Sequence, residues 1–465
     1  MLIKPQGKQI EILGLPTKGH FVILGTAGSG KTTIALLRAL NLANLPRKEN
    51  VLLVTFNKAL VEYIKDLDNC PDNLTVEHYH KFARGYLGFR NKIPSRNGII
   101  KKEEREVLID QAVKYYKDCY PAESTFMRNN SFYYDEIKFI EEFGCDTKEK
   151  YLEIERTGRS NANLKKEKRP LIYDIYTMYL QLREKKNKCY DWYDVALYVC
   201  KELEKDNTSR LYKHIVVDEG QDFSPMMLKS LVKAIPSDGS FTFFGDVAQQ
   251  IYGNRVSWRY SGVNISKIWQ FDINYRNPKT ISDFSKELTK SKYWKKNEYM
   301  VECQMTYAEG PKPVLIKFSN IDKERDWVVN RSIKESKNSS VVIICRNRND
   351  INDYKLRLSN KGCSAIVING DTVEFGDKKR VYLSTYHSVK GLEFYNVFIP
   401  GLSEDKLPEP KLIENVEDLS EVYSDELKLL YVAVTRSKYG LYMSYSGKLT
   451  KLIPNNISTI DLREV

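Results

Sequence analysis

Eight residues near the start of the chain have the types and spacing of a phosphate-binding loop, G-x-x-x-x-G-K-[ST]. They are Gly25, Thr26, Ala27, Gly28, Ser29, Gly30, Lys31 and Thr32. Glycines let consecutive backbone N–H groups turn inward around phosphate oxygens, and the lysine ammonium can reach the β- and γ-phosphates. The Thr32 hydroxyl can ligate Mg²⁺. The loop predicts a nucleoside triphosphate site, and the alternative is an ordinary glycine-rich connection between a strand and a helix.

Two adjacent acids supply further groups that triphosphate hydrolysis requires. Asp218 and Glu219 follow an apolar run at residues 214–217. Asp218 is placed to hold Mg²⁺ through water, and Glu219 to accept a proton from the attacking water. Alternatively, the pair only caps the helix that begins near Pro225. Gln249, which follows the next apolar run, is a neutral polar group able to sense the γ-phosphate.

Aromatic residues beside basic ones favour a nucleic-acid partner. Phe56 directly follows the apolar run 51–55 and lies two residues before Lys58. At this position it could stack a base, or it could be a core residue. Tyr252 and Trp258 lie close to two arginines. That interleaving suits single-stranded nucleic acid and suits a domain interface equally well.

Apolar runs alternate with helical periods, and this pattern predicts an α/β protein whose buried strands form parallel sheets. Residues 87–207 differ, because helical periods, dense charge and tyrosines dominate there. We interpret this stretch as a mostly helical domain inserted into a first sheet domain made of residues 1–86 and 208–277. Residues 278–465 carry a second set of α/β elements without a phosphate loop of their own.

Bulk composition bounds the class of protein. A chain of 465 residues with 42% apolar and 29% charged residues predicts a soluble protein of several domains. Its net charge of +12 suits a polyanionic partner, although many proteins without one are as basic. The eight cysteines are scattered without a C-x-x-C pair, as expected of reduced cytoplasmic thiols. Neither a secretory signal nor an apolar run of membrane-spanning length is visible, so we expect no membrane partner.

Taken in order, the motifs resemble those of superfamily 1 helicases of the UvrD/PcrA type. The series begins at Gln9, sixteen residues before Gly25, ends at Arg436, and so covers most of the chain. Single motifs range from weak to strong, but their order is specific. They include Asp218-Glu219-Gly220-Gln221-Asp222, Gly245-Asp246-Val247-Ala248-Gln249, Asn274-Tyr275-Arg276, Thr385-Tyr386-His387 with Lys390-Gly391-Leu392-Glu393, and Tyr431-Val432-Ala433-Val434-Thr435-Arg436.

The resemblance implies two RecA-like P-loop domains that bind ATP and Mg²⁺ in the cleft between them. Gln9 would read adenine, Tyr275 would lie against it, and the phosphate loop would extend to Thr33. Arg276 would contact the γ-phosphate, with Arg436 completing the site across the cleft. Glu393 ends the motif that touches both the strand and the ribose. The implied nucleic-acid contacts are Phe56, Asn57, Lys58, His80, Tyr252, Trp258, Thr385 and His387.

The implied activity is ATP-driven translocation and unwinding on single-stranded or tailed duplex DNA, in the 3′→5′ direction, with RNA left open. A second hypothesis is a regulatory, strand-stimulated ATPase subunit that controls a partner such as a nuclease. It is favoured by a departure from the family, because about ten residues join Ile368-Asn369-Gly370 to Val381, too few for the inserted domain expected there. Asn254 also replaces an aromatic residue, and Trp258 is the candidate substitute.

Overall fold

The structure is a computed structural model of the 465-residue chain. It describes residues 4–56, 70–93, 98–156, 164–249, 258–295, 299–368, 379–413, 419–454 and 458–465, apart from the side chains of Arg259 and Tyr307. Two parallel β-sheets flanked by helices form its framework, which confirms the predicted α/β class with two RecA-like halves. Within the described ranges, no helix is long and apolar enough to cross a membrane.

Fifteen strands are described. They are β1 (Gly19–Gly25), β2 (Val51–Val54), β3 (Leu74–Glu77), β4 (His214–Val217), β5 (Ser240–Gly245), β6 (Ile268–Phe271), β7 (Ile273–Pro278), β8 (Met305–Ala308), β9 (Val314–Phe318), β10 (Val341–Cys345), β11 (Ile366–Val367), β12 (Val381–Thr385), β13 (Phe394–Ile399), β14 (Ser437–Ser446) and β15 (Asp461–Glu464).

Fifteen α-helices lie in the same described ranges. They are α1 (Lys8–Leu13), α2 (Lys31–Ala43), α3 (Tyr79–Phe89), α4 (Lys102–Cys119), α5 (Asn130–Glu142), α6 (Lys148–Glu153), α7 (Arg169–Lys185), α8 (Val195–Lys205), α9 (Pro225–Lys233), α10 (Trp258–Ser261), α11 (Lys279–Thr289), α12 (Ile321–Ser336), α13 (Arg348–Asn360), α14 (Pro410–Ile413) and α15 (Leu419–Val434). Short 3₁₀ helices cover Ser124–Met127, Lys166–Lys168, Gly220–Asp222 and Val247–Gln249.

The first sheet has six parallel strands in the order β3-β2-β4-β5-β1-β6. Helix α2 packs on one face through Ile34, Ala35 and Ala39, while α3, α8 and α9 cover the other face. Burial on both faces explains why β2, β4 and β5 read as continuous apolar runs. The phosphate loop, Asp218 and Asp246 follow β1, β4 and β5, so they meet at the carboxyl edge where open α/β sheets bind ligands.

A helical block lies between β3 and β4 in the sequence. Helices α4 to α7 enclose a core of their own that includes Leu108, Ile137, Ile172 and Tyr179. Helix α8 instead packs against the first sheet through residues such as Val199. The boundary at residue 207 stays a prediction, since only the packing of α8 bears on it.

The second sheet has seven parallel strands in the order β11-β12-β10-β13-β14-β9-β15. Strands β11 and β12 are neighbours, with Ile366 opposite Tyr382. Within the link between them, residues 369–378 lie outside the described residues. Strands β7 and β8 form a separate parallel pair that carries the chain from the first half to the second.

Sequence patterns missed β6, β7, β8 and β15. Residues of β6 are mostly half-exposed, and those of β15 are mostly exposed. Such short edge strands show no buried apolar run and no strict alternation, which are the two signals a sequence offers.

Candidate functional site

The phosphate loop forms a closely packed cradle after β1. Gly28 and Gly30 have left-handed φ values of 72° and 81°. A Cβ atom on Gly28 would come within 2.2 Å of Asn274 Oδ1, and one on Gly30 within 2.9 Å of Gln9 Nε2. Glycine is therefore required at both positions for backbone and steric reasons.

Lys31 closes this cradle from inside. Its ammonium donates to the carbonyls of Gly25 (3.0 Å) and Thr26 (2.7 Å) and lies 3.4 Å from Asp246 Oδ2. The Ser29 hydroxyl is buried and has no hydrogen-bond partner among the described residues. A buried cation and an unpaired buried hydroxyl beside inward-turned glycines fit a phosphate group.

Gln9 and Tyr275 meet beside the loop. They line a small pocket together with Lys4, Gln6, Gly30, Thr33 and Ile34. The Gln9 amide donates to Ser29 O (3.0 Å) and accepts from Gln6 N (3.0 Å), which orients it. The Tyr275 N–H donates to Gly28 O at 2.9 Å. An amide, an aromatic ring and an aliphatic wall are complementary to a purine base.

The two acids after β4 lie in opposite electrostatic environments. The Thr32 hydroxyl donates to Asp218 Oδ2 (3.0 Å), and burial and the neighbouring Glu219 raise the pKa of Asp218 to about 7. Burial also acts to raise the pKa of Glu219, but the charges of Lys390 and Lys31 outweigh it and lower that pKa. Thr32 and Asp218 are oxygen ligands of the kind that Mg²⁺ prefers, while the ionised Glu219 can accept a proton.

Gln249 links the two halves of the molecule. Its Nε2 donates to Asp246 Oδ2 (2.6 Å), and its Oε1 accepts from Arg436 Nη2 (2.6 Å). Arg436 is only 1% exposed, and burial and the charge of Arg276 lower its pKa to about 10. Because Lys31 also approaches Asp246, a chain of polar contacts joins the phosphate loop to an arginine of the second half.

Arg276 forms an ion pair with Glu393 at the same cleft. Lys438 approaches the second carboxylate oxygen of Glu393 at 3.2 Å. Burial opposes the ionised form, but Arg276 and Lys438 lower the pKa of Glu393 to about 2. The main-chain N–H of Arg276 donates to Asn274 Oδ1 at 2.9 Å, which fixes the backbone at this position.

Lys390 makes a further contact between the halves, and the pairing of its side chain was not predicted from the sequence. Its ammonium donates to Asp222 Oδ1 (2.6 Å) and to the carbonyl of Gln249 (2.8 Å). Burial raises the pKa of Asp222 to about 6 despite Lys390. Both residues stand inside quoted motifs, so their position was visible but their pairing was not.

The expected nucleic-acid contacts separate into groups. Phe56 and His80 lie together, with Phe223 4.7 Å from Phe56 and Trp192 4.8 Å from His80 between ring centroids. All but Phe223 are half-buried, and sequence reasoning did not single out Trp192. Burial lowers the pKa of His80 to about 4, which leaves a neutral ring at neutral pH.

The other expected contacts lie elsewhere. Trp258 packs against the core residue Phe243 with ring centroids 4.9 Å apart. Thr385 accepts the Ser388 N–H (3.1 Å) and so orders the turn that carries His387. The remaining expected contacts lie outside the described residues, and they are Asn57, Lys58 and Tyr252.

Comparison with known proteins places this geometry in a family. The model of the UvrD/REP helicase N-terminal domain matches residues 6–272, more than half of the 465 residues. The chain belongs to the UvrD/REP helicase family. The model of the UvrD-like helicase C-terminal domain matches residues 366–448.

Curated relatives in this family align with the chain over different fractions of its length. A probable DNA helicase of Mycoplasma pneumoniae is 25% identical over 460 residues, which are 91% of this chain and 80% of the relative. A probable DNA helicase II homolog of Mycoplasma genitalium is 22% identical over 68% of this chain and 47% of its own length. An ATP-dependent DNA helicase Rep of Buchnera aphidicola is 40% identical over 81 residues, 17% of this chain and 12% of the relative. Against several of these family members, the chain thus spans half of their length or less.

Proposed function

We propose that the chain is an ATP-dependent translocase and helicase that moves 3′→5′ on single-stranded or tailed duplex DNA. The observation that carries this proposal is the contact of Arg436 and Lys390, from the second half, with Gln249 and Asp222 of the first. An ATPase site that is complete only when two halves meet ties hydrolysis to their relative movement. The eight free cysteines support a cytoplasmic location.

Each group of the site receives a role from its position. We propose that Gln9 and Tyr275 hold adenine and that the loop from Gly25 to Thr33 holds the phosphates. Thr32 and Asp218 would hold Mg²⁺, which neutralises phosphate charge when bound. Glu219 accepts the proton of the attacking water, and Gln249 reports the γ-phosphate to the bound strand.

The two arginines, Arg276 and Arg436, would approach the γ-phosphate from the side of the cleft opposite the phosphate loop. Arg276 and Arg436 stabilise the charge that spreads over the transferring phosphoryl group, an effect typically worth about 10³–10⁵ in rate for such arginines. Arg276 must exchange its pairing with Glu393 for the phosphate when nucleotide binds. Glu393, which keeps its contact with Lys438, can then offer its other carboxylate oxygen to the ribose.

Movement of the halves would shift the bound strand. Phe56 and His80 belong to the first half, Thr385 and His387 belong to the second, and all four are half-buried. We propose that a single strand lies across both groups, so that each cycle of closing and opening advances it. This division assigns residues 1–86 and 208–277 to the first motor domain, 87–207 to the helical insertion and 278–465 to the second motor domain.

A regulatory role is the second candidate. Only thirteen residues, 368–380, separate β11 from β12, where family members carry an inserted domain. A chain lacking that domain would engage duplex DNA weakly and would serve as a strand-stimulated ATPase for a partner such as a nuclease. Stable capture of one defined partner, together with weak unwinding by the chain alone, favours this candidate.

ATP hydrolysis and strand displacement by the purified chain test both proposals. We expect single-stranded DNA to stimulate hydrolysis, and 3′-tailed duplexes to be unwound in preference to 5′-tailed ones. Lys31→Ala is the matched control and should abolish both activities, because it removes the cation at the phosphates. If no nucleic acid changes the rate of ATP hydrolysis, the proposal of a translocase is wrong. If only RNA stimulates hydrolysis, the substrate is RNA and not DNA.

A further inference from the structure

A second cavity lies beside the phosphate loop and between the two halves. Its volume is about 330 Å³, and it shares no lining residue with the pocket of Gln9 and Tyr275. Thr26, Ala27 and Asn274 line it from the first half. Helix α11, Trp294, the segment 300–303, Tyr431 of α15 and Thr435 line it from the second. Cavities at domain boundaries are frequent ligand sites, and this volume is at the small end of about 300–1,000 Å³.

The wall of this cavity carries hydrogen-bond donors that the protein does not use. Trp294 is 7% exposed, and its Nε1–H has no hydrogen-bond partner among the described residues. Lys286 is half-buried and forms no ion pair within the described part of the chain. The hydroxyls of Ser285 and Thr289 donate to helix carbonyls and can only accept further bonds. An occupant must therefore supply acceptor oxygens to an indole N–H and an ammonium.

The rest of the wall is suited to an apolar body. Ala27, Met300, Val301 and the Tyr431 ring contribute apolar surface. The wall also carries two more charged residues. Lys290 already pairs with Glu287 at 2.7 Å, and Glu302 is exposed. We propose that this cavity binds a small carboxylate with an aromatic or branched apolar body.

An occupant would act on the nucleotide site, an effect that rests on the proposed function. Asn274 accepts the N–H of Arg276 (2.9 Å), and the Thr435 hydroxyl accepts from Arg436 (3.1 Å). Thr26 also lines the cavity, and its carbonyl oxygen accepts from the Lys31 ammonium at 2.7 Å. A molecule wedged between these supports fixes the spacing of the halves, so it slows cycles that require them to move.

Cys303 makes the cavity chemically addressable. Its thiol lines the wall, with Ser282 Oγ 3.4 Å from the sulfur. A methanethiosulfonate reagent transfers its thioalkyl group to the Cys303 thiolate, forming a mixed disulfide while methanesulfinate leaves. The test compares an anionic reagent, 2-sulfonatoethyl methanethiosulfonate, with a cationic one, 2-(trimethylammonio)ethyl methanethiosulfonate. Peptide mass spectrometry gives the rate at each cysteine, and exposed Cys119 is the internal reference.

We expect the anionic-to-cationic rate ratio at Cys303 to be at least fivefold above that at Cys119, and Lys286→Gln to remove the difference. Millimolar benzoate should slow labelling of Cys303 at least threefold in the full chain, whereas benzamide should not. Trp294→Phe keeps the apolar filling and should weaken the benzoate protection. Equal ratios at the two cysteines, or equal protection by benzamide, would overturn the site.

The effect on turnover is measured separately. Modification by the anionic reagent should lower strand-stimulated ATP hydrolysis at least fivefold, relative to Cys303→Ser treated in the same way. If ATP hydrolysis is unchanged after complete labelling of Cys303, the proposed effect of the cavity on turnover is wrong. If labelling is selective but the untreated chain hydrolyses no ATP, the proposed function fails and the carboxylate site stands.

Discussion

Glu219 is the residue on which the proposed hydrolysis depends most directly. Its backbone has a left-handed φ of 52°, which is uncommon for a residue with a side chain. Lys390, Lys31 and a hydrogen bond from Gln221 Nε2 (2.5 Å) keep it ionised. We expect Glu219→Gln to lower kcat at least about 10²-fold, the low end for a positioned base, with nucleotide binding retained. Single-turnover hydrolysis and fluorescent nucleotide titration measure the two effects.

The matched control for that substitution is Asp218→Asn. It leaves the base in place but weakens the oxygen ligands available to Mg²⁺, so excess Mg²⁺ should restore part of its activity and none of that of Glu219→Gln. Full turnover by Glu219→Gln would remove Glu219 from the role of base and leave its charge as a purely structural feature.

Motif spacing predicted the groups that we propose face the nucleotide, because phosphate binding demands glycines and a lysine at fixed offsets. It did not reveal what those groups contact. The pairings of Gln249 with Arg436 and of Lys390 with Asp222 depend on how two sheets face each other. Trp192 joins Phe56 and His80 only because the helical block returns to the first sheet there. Such contacts between distant residues carry no local signal.

At the scale of elements, the helical block is built around a buried charge network. Arg105 of α4, Glu141 of α5 and Arg183 of α7 meet Asp191 and Asp194, which precede α8. All five residues are at most 4% exposed, and three carboxylates face two guanidinium groups. This imbalance of charge makes it favourable for one carboxyl to hold a proton.

Burial raises the pKa of Glu141 well above its usual value, and it raises the pKa of Asp194 from 3.8 to about 6 in the folded chain. At Asp194 the folded state therefore binds a proton more tightly than the unfolded state does, and the stabilisation is lost as pH rises through about 4 to 6. The slope is at most about 1.4 kcal/mol per pH unit for one proton. We expect the melting temperature of the chain, relative to that of Asp194→Asn, to fall between pH 4 and pH 6. A constant difference across this range would contradict a proton held at Asp194.

At the scale of the whole molecule, several polar contacts between described residues span the cleft, and the contact of Lys390 with Asp222 is suited to a direct test. Both side chains are at most 10% exposed, so neither charge is well solvated without the other. Removing one partner of a buried pair typically costs about 3–5 kcal/mol, whereas removing both is far less costly.

We therefore expect Lys390→Met to destabilise the chain more than the double variant Lys390→Met with Asp222→Asn. In the single variant Asp222 is buried without a cation, and its pKa, already about 6, rises further. In the double variant no uncompensated charge is left. Thermal unfolding of the wild type, both single variants and the double variant gives the coupling free energy, while strand-stimulated ATP hydrolysis reports whether the two halves still close on each other.

If the pair holds the halves together, stability recovers in the double variant but strand stimulation does not, because the contact across the cleft is still absent. Recovery of both would mean that the ion pair serves only to neutralise a buried charge, and additive losses would mean that the two residues act independently.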